Sequence, residues 1–207
     1  MRVKEGLLIV LSSPSGGGKT TACEQLMAAD PNVARSVSCT TRPPRAGEVD
    51  GKHYYFLMRE EFEKRLARDE FLEHAQVHGQ YYGTLRTTVE DLLAAGRDVI
   101  LTIDVQGAAQ VRKLATGDAR LSRALVTVFL MPPSLELLEQ RLRKRGTDTD
   151  ENITRRLTEA RREMAQWRVY DYVVVTGTIK EDYQNIRTIL EAERFRSVRV
   201  QFPEGAE

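Results

Sequence analysis

Residues Ser12-Ser13-Pro14-Ser15-Gly16-Gly17-Gly18-Lys19-Thr20 join an apolar run, Leu7 to Leu11, to a segment of helical composition, Thr21 to Met27. A strand, a glycine-rich turn and a helix in that order are the structural context of a phosphate-binding loop. Backbone N–H groups converge on a polyphosphate only where no side chain obstructs them, so three glycines ahead of a helix N-terminus make an anion cradle. In the pattern G-x-x-x-x-G-K-[ST], the lysine reaches the β- and γ-phosphates and the hydroxyl ligates Mg²⁺. Here those residues are Lys19 and Thr20, and Ser13 stands where the pattern has its first glycine. A nucleotide phosphate site is therefore expected over Ser13, Pro14, Ser15, Gly16, Gly17, Gly18, Lys19, Thr20 and Thr21.

The 207 residues fit one α/β domain with insertions. Short apolar runs recur at Leu7 to Leu11, Val99 to Ile103, Ala124 to Met131 and Tyr172 to Val175, and each reads as a buried parallel strand. Amphipathic stretches lie between and beyond them: Thr87 to Ala95, Gln106 to Leu114, Leu135 to Arg145, Glu151 to Trp167 and Lys180 to Arg194. The alternation predicts an α/β fold with a doubly wound parallel sheet. Two stretches interrupt it. Residues 40–84 are rich in Arg, Pro, Gly and Tyr, with β-like pieces at His53 to Leu57 and Phe71 to Val77 around a charged helix, Arg59 to Arg68; they read as an inserted substrate module. Ser134 to about Asp150, with Arg141, Arg143, Lys144 and Arg145 and then a turn, reads as a mobile basic flap. No internal repeat or low-complexity segment occurs, and the end of the chain after Phe195 is expected to fray.

Composition narrows the function. Thirty-one Lys and Arg against 30 Asp and Glu leave a net charge of +1, too little field to coat nucleic acid or an acidic membrane. Cys23 and Cys39 have neither C-x-x-C spacing nor a histidine companion and read as reduced thiols of a cytoplasmic protein. No signal peptide or membrane span is expected. His53, His74 and His78 lack zinc-like ligand spacing, and Trp167 is expected in the core.

A phosphate cradle alone leaves ATPases, GTPases, small-molecule kinases and helicases open. No N-K-x-D segment for a GTPase base site occurs. Arg42-Pro43-Pro44-Arg45 sets two guanidinium forks around a rigid corner, suited to phosphate oxygens or to a solvated charge cluster. Tyr54 and Tyr82 can each donate a phenolic hydrogen bond to the same phosphate, or simply pack.

In order and spacing the chain resembles guanylate kinases over about residues 5–195. The residues that carry the resemblance are the loop Ser13 to Lys19, the run Ser38 to Tyr54, Phe71-Leu72-Glu73-His74-Ala75, Tyr81-Tyr82-Gly83-Thr84, Ile103-Asp104-Val105-Gln106-Gly107, and Arg141-Leu142 with Arg145-Gly146. The resemblance implies a P-loop NTPase-type sheet with an inserted GMP-binding segment at about 38–97, a basic lid at about 134–153 and a tail at 196–207. It also implies transfer of the γ-phosphoryl group of ATP to GMP, and to dGMP, with Mg²⁺, in purine nucleotide metabolism; the oligomeric state stays open. By the same resemblance Arg42, Arg45, Tyr54 and Tyr82 bind the GMP phosphate. Glu73 reads guanine N1–H and the 2-amino group, with Ser38 and Thr84 completing the base contacts. Arg141, Arg145 and Arg156 close over the donor phosphates beside Lys19, and Thr20 holds Mg²⁺. Asp104, at the end of an apolar strand, is expected near Mg²⁺ and the substrate arginines. The family's aspartate two residues earlier is Thr102 here, and its Asn-Asp-Asp stretch near adenine is Thr176-Gly177-Thr178. A non-catalytic guanylate-kinase-like binding module, or a kinase of another small phosphorylated metabolite, is the competing reading.

Overall fold

The computed structural model describes residues 6–77, 79–144 and 149–199. The chain begins β1 (Leu8–Ser12), α1 (Lys19–Ala29), β2 (Val33–Arg35), β3 (Cys39–Thr40), β4 (Tyr55–Phe56), α2 (Arg59–Ala67), β5 (Phe71–Val77) and β6 (Gln80–Leu85). It continues α3 (Arg86–Ala94), β7 (Asp98–Thr102), α4 (Val105–Ala115), α5 (Ala119–Ala124) and β8 (Leu125–Met131). Last come α6 (Leu135–Lys144), α7 (Asp150–Met164), β9 (Tyr172–Val175) and α8 (Ile179–Glu193).

Five strands form a wholly parallel sheet in the order β2-β7-β1-β8-β9, the expected α/β architecture. Its central strand β1 is buried throughout, so both faces must be apolar. Leu7, Ile9 and Leu11 pack with Ala22, Cys23 and Leu26 of α1 and Ile186 and Leu190 of α8. Leu8 and Val10 pack on the other side with Val89 and Leu93 of α3 and Val105, Ala108 and Val111 of α4. The two-residue alternation of the strand thus assigns neighbouring leucines to opposite cores.

A second sheet, ordered β4-β3-β6-β5, is built from the stretch that interrupts the alternation. Its own small core holds Phe62 of α2 stacked between Phe71 (ring centroids 4.3 Å apart) and Tyr81 (5.1 Å), with Cys39 and Leu85 alongside. Tyr81 and Leu85 on β6 face that core, so Tyr82 and Thr84 face the other way. β5 pairs Phe71 with Leu85 but Glu73 with Thr84, so an extra residue, Leu72, is inserted between them. Without this bulge Glu73 would share a face with Phe71; with it, Glu73 joins Thr84 on the open face.

Several sequence expectations change. β2 was too short for a periodic pattern and exists through pairing Val33, Ala34 and Arg35 with Asp98, Val99 and Ile100. The described part of the basic flap is the helix α6, which packs against α7 with Leu138, Leu142, Ile153 and Ala160 buried; residues 145–148 lie outside the described residues. Arg143 turns outward to Glu139 and Asp150. Trp167 is not core: it is 39% exposed, with the Arg168 guanidinium 5.0 Å from its ring centroid. Beyond Phe195 the chain is held as far as Arg199, which donates to the carbonyls of Arg123 and Leu125 and to the Glu193 carboxylate; the rest of the tail, 200–207, lies outside the described residues.

Candidate active site

β1 ends at Ser12 and α1 begins at Lys19, so the intervening turn sits at the carboxyl edge of the parallel sheet, where such folds bind ligands. Gly18 caps α1 at φ 100°, a left-handed conformation that favours glycine, and a Cβ there would meet nothing within 4 Å. The first turn of α1 carries no acidic side chain, so the positive end of the helix is uncompensated. In front of it lies a cavity of about 460 Å³, lined by residues 15–22, Arg141 of α6, and Gly177, Ile179 and Asp182 around the start of α8. Ser13 and Pro14 are buried beneath the loop rather than in that lining. The Lys19 ammonium donates to the Ser13 carbonyl (2.6 Å) and hydroxyl (3.1 Å), so the serine that replaces the pattern's glycine supplies an acceptor for the lysine. The exposed Thr20 is a hard oxygen donor of the kind Mg²⁺ takes together with waters and phosphate oxygens.

On α7, Ile153, Arg156, Ala160 and Glu163 recur at helical spacing along the inward face. Burial pushes the Glu163 carboxyl up to about 7 against the pull of Lys19, with Asp104 raising it further, which places this face beside the phosphate loop. Arg156 is half-buried on it, outside the cavity lining. Arg145 lies outside the described residues. Asp104 follows β7 and caps α4, its Oδ1 accepting the Gly107 N–H at 2.9 Å. The capping bond accounts for a carboxylate at the end of an apolar strand.

The residues linked by resemblance to the acceptor form two neighbouring groups. In the first, Glu73 is 4% exposed and its Oε1 accepts the Thr84 hydroxyl at 2.6 Å, while Thr84 and Ser38 hydroxyl oxygens lie 3.4 Å apart. Burial pushes the Glu73 carboxyl up to about 7; the Thr84 bond opposes the shift and Asp104 adds to it. In the second group, Tyr54 and Tyr82 meet edge-on at 6.0 Å, and the Arg42 guanidinium lies 5.6 Å from the Tyr54 ring centroid. Arg42 donates to Glu48 Oε1 at 2.9 Å, and Glu48 Oε2 accepts the Arg45 N–H at 2.7 Å; the Arg42 bond holds the Glu48 carboxyl below its usual range. The Arg45 side chain is exposed. The two groups are connected by β6. Tyr82 and Thr84 sit on one face at i and i+2, so the phenol and the carboxylate's partner are spaced by roughly 7 Å of strand.

Comparison with known proteins decides the family. The family model described as guanylate kinase matches residues 5–193. A guanylate kinase of Carboxydothermus hydrogenoformans is 45% identical over 198 residues, covering 96% of this chain and 94% of that protein. One of Sphingopyxis alaskensis is 49% identical over 193 residues, 93% and 85% of the two chains. The crystal structure of guanylate kinase from Anaplasma phagocytophilum aligns with a TM-score of 0.77 at 37% identity, over 96% of this chain and 92% of that one. The chain belongs to the guanylate kinase family.

For a guanylate kinase family member, this site contains residues that the sequence alone did not single out. Glu48 is paired with Arg42; its only signal was its place in the Arg45-to-Tyr54 run. Arg35, at the carboxyl end of β2, donates to the His53 carbonyl at 3.1 Å with its guanidinium 5.8 Å from the Tyr54 ring centroid, which ties the small sheet to the large one. Glu163 could have been found from its shared face with Ile153 and Ala160. Thr178, in the departure near the adenine region, caps α8 in a reciprocal bond with Glu181, and Gly177 donates to Asp182 at 2.8 Å.

Proposed function

We propose that this guanylate kinase family member transfers the γ-phosphoryl group of ATP to GMP and dGMP, giving ADP and the nucleoside diphosphate, in the cytoplasm where these nucleotides are pooled. The observation that carries the reading is the Glu73 carboxylate, buried on the same strand-pair face as Tyr82 and hydrogen-bonded by Thr84. A buried carboxylate needs donors, and guanine presents N1–H and the 2-amino group side by side. Adenine offers an acceptor at the same edge.

An oxygen of the GMP phosphate attacks the γ-phosphorus as the bond to the bridging oxygen of the leaving ADP breaks. That oxygen is ionised at neutral pH, so no strong general base is required, and catalysis rests on alignment and charge stabilisation. In this reading Lys19 leaves the Ser13 carbonyl for the β- and γ-phosphates, and Arg141 approaches them from α6. Arg42, held by Glu48, and Arg45 fix the acceptor phosphate with Tyr54 and Tyr82. The exposed Thr20 hydroxyl would hold Mg²⁺, which when bound would supply further charge neutralisation. Arg145 belongs to the lid at about 134–153, Arg156 lies on α7 just beyond it, and the insert at about 38–97 carries the acceptor contacts. ADP release from MgATP with GMP, AMP, UMP and CMP in parallel tests this. Strong preference for GMP is expected, and comparable turnover of all four, or none, would overturn it.

A further inference from the structure

The aim of Glu73 is not a property of β5 alone. β5 is the edge strand of the small sheet, bonded to β6 on one side only. On its free side the Gln110 side chain of α4 acts as a one-residue strand: its Nε2 donates to the His74 carbonyl at 2.6 Å and its Oε1 accepts the His74 N–H at 3.0 Å. Both backbone groups next to Glu73 are therefore satisfied by one amide, a geometry that fixes translation and rotation of the strand together.

Two further contacts come from the same helix and its core. Leu72, the inserted residue of the bulge, is buried in the cluster that contains Val105, Ala108 and Val111 of α4. One turn before Gln110 on the same face, Gly107 lies directly against the Glu73 carboxylate. A Cβ at position 107 would overlap Glu73 Oε2 and stand 3.1 Å from its Cδ. Gly107 also donates its N–H to Asp104, so the helix turn that seats Glu73 is closed by the neighbouring carboxylate.

We propose that Gln110 and Gly107 are positioning residues for base specificity: Gln110 clamps the β5 bulge at His74, and Gly107 leaves the seat in which the Glu73 carboxylate faces guanine. The inference rests on Glu73 being the base reader and adds what holds it there. Neither residue lines the phosphate-loop cavity, so their effects are expected to fall on the acceptor. A misplacement of about 1 Å in such a constellation costs on the order of a hundredfold.

The experiment measures kcat/KM for GMP, IMP and AMP at saturating MgATP, and KM for ATP, in the parent, Gln110→Ala, Gln110→Glu, Gly107→Ala and Glu73→Gln. IMP keeps N1–H and lacks the 2-amino group, so the GMP-to-IMP and GMP-to-AMP ratios report the aim of the carboxylate. The expected result is a rise of about tenfold or more in KM for GMP and a collapse of both ratios in the position-110 and position-107 variants, with KM for ATP within about twofold of the parent. Gln110→Glu keeps the acceptor but sets a carboxylate oxygen against the His74 carbonyl, and falls at or below Gln110→Ala. Unfolding of Gly107→Ala is checked against the pair Gly107→Ala with Glu73→Asp, whose shorter acid should restore melting temperature if the overlap is with the carboxylate. Ratios unchanged in Gln110→Ala while Glu73→Gln collapses them would overturn the positioning role alone. Ratios unchanged in Glu73→Gln would overturn the base-reader assignment beneath it. Parallel losses toward GMP and ATP would show α4 to be merely structural.

Discussion

Replacing Glu73 by glutamine separates what the carboxylate costs the fold from what it gives the reaction. In the folded protein the group is raised from 4.5 to about 7, chiefly by burial, so between those values the native state holds a proton that the unfolded chain has released. Its contribution to stability is therefore whole below pH 4.5 and is lost as pH rises through 7. At about 1.4 kcal/mol per unit, ionising this carboxylate in the free protein costs up to roughly 3 kcal/mol above pH 8. Glutamine carries no charge, and its carbonyl can still accept the Thr84 hydroxyl that Glu73 accepts at 2.6 Å. The melting temperature of the variant should match the parent at pH 5 and exceed it by about 5 to 10 °C at pH 8.5, given roughly 2 to 4 °C per kcal/mol for a chain of this size. Activity should move the other way. One acceptor oxygen becomes a donor facing a donor, losing a charge-assisted bond worth about 1.5 to 3 kcal/mol and leaving a mismatch, so kcat/KM for GMP should fall by roughly two to four orders of magnitude. AMP, whose N1 is an acceptor, should lose much less or gain. Thermal melts at the two pH values and steady-state kinetics with both acceptors provide the assay. A stability change equal at pH 5 and 8.5, or equal proportional losses for GMP and AMP, would refute the reasoning.

The same raised carboxyl predicts that kcat/KM for GMP falls about tenfold per pH unit below 7, with AMP as the control for ionisation of the nucleotide phosphate. A flat ratio of the two acceptors between pH 5.5 and 7.5 would count against a titrating base reader. Lys19→Met should keep the fold, since the Lys19 ammonium donates within its own loop to Ser13, and should lose about 3 to 4 kcal/mol of transition-state stabilisation. Near-normal kcat in a rapid-quench measurement would remove its assigned role. Arg141→Ala, which empties one wall of the loop cavity, should cost about 1.5 to 3 kcal/mol in kcat/KM for ATP while KM for GMP holds steady. An effect confined to GMP would move Arg141 to the acceptor side.

Much of the phosphate-loop half of the candidate site was legible in the linear chain because its parts are contiguous. A buried strand, three glycines, a lysine and a helix start follow one another within Leu8 to Thr20, and local backbone geometry is enough to make them a cradle. The alternation of apolar runs and amphipathic segments likewise predicts the parallel sheet, since burial on both faces leaves a pattern that one strand shows by itself. The half proposed to hold the acceptor depends on partners distant in sequence. Position 73 lies two residues from Phe71, and strand periodicity alone would send both side chains into the same small core. Only pairing with β6, the Leu72 bulge and the clamp from Gln110 of α4 turn the carboxylate to the open face. Trp167 and Arg199 repeat the lesson in reverse: the aromatic lies partly exposed at the end of α7, and an arginine near the chain end is buried by carbonyls that β8 and α5 bring to it. Sequence by itself determined the cradle, the layers and the family's residues in order. Tertiary structure decided which way each of them faces, because facing is set by the neighbour across the strand or helix, and that neighbour is chosen only when the chain has folded.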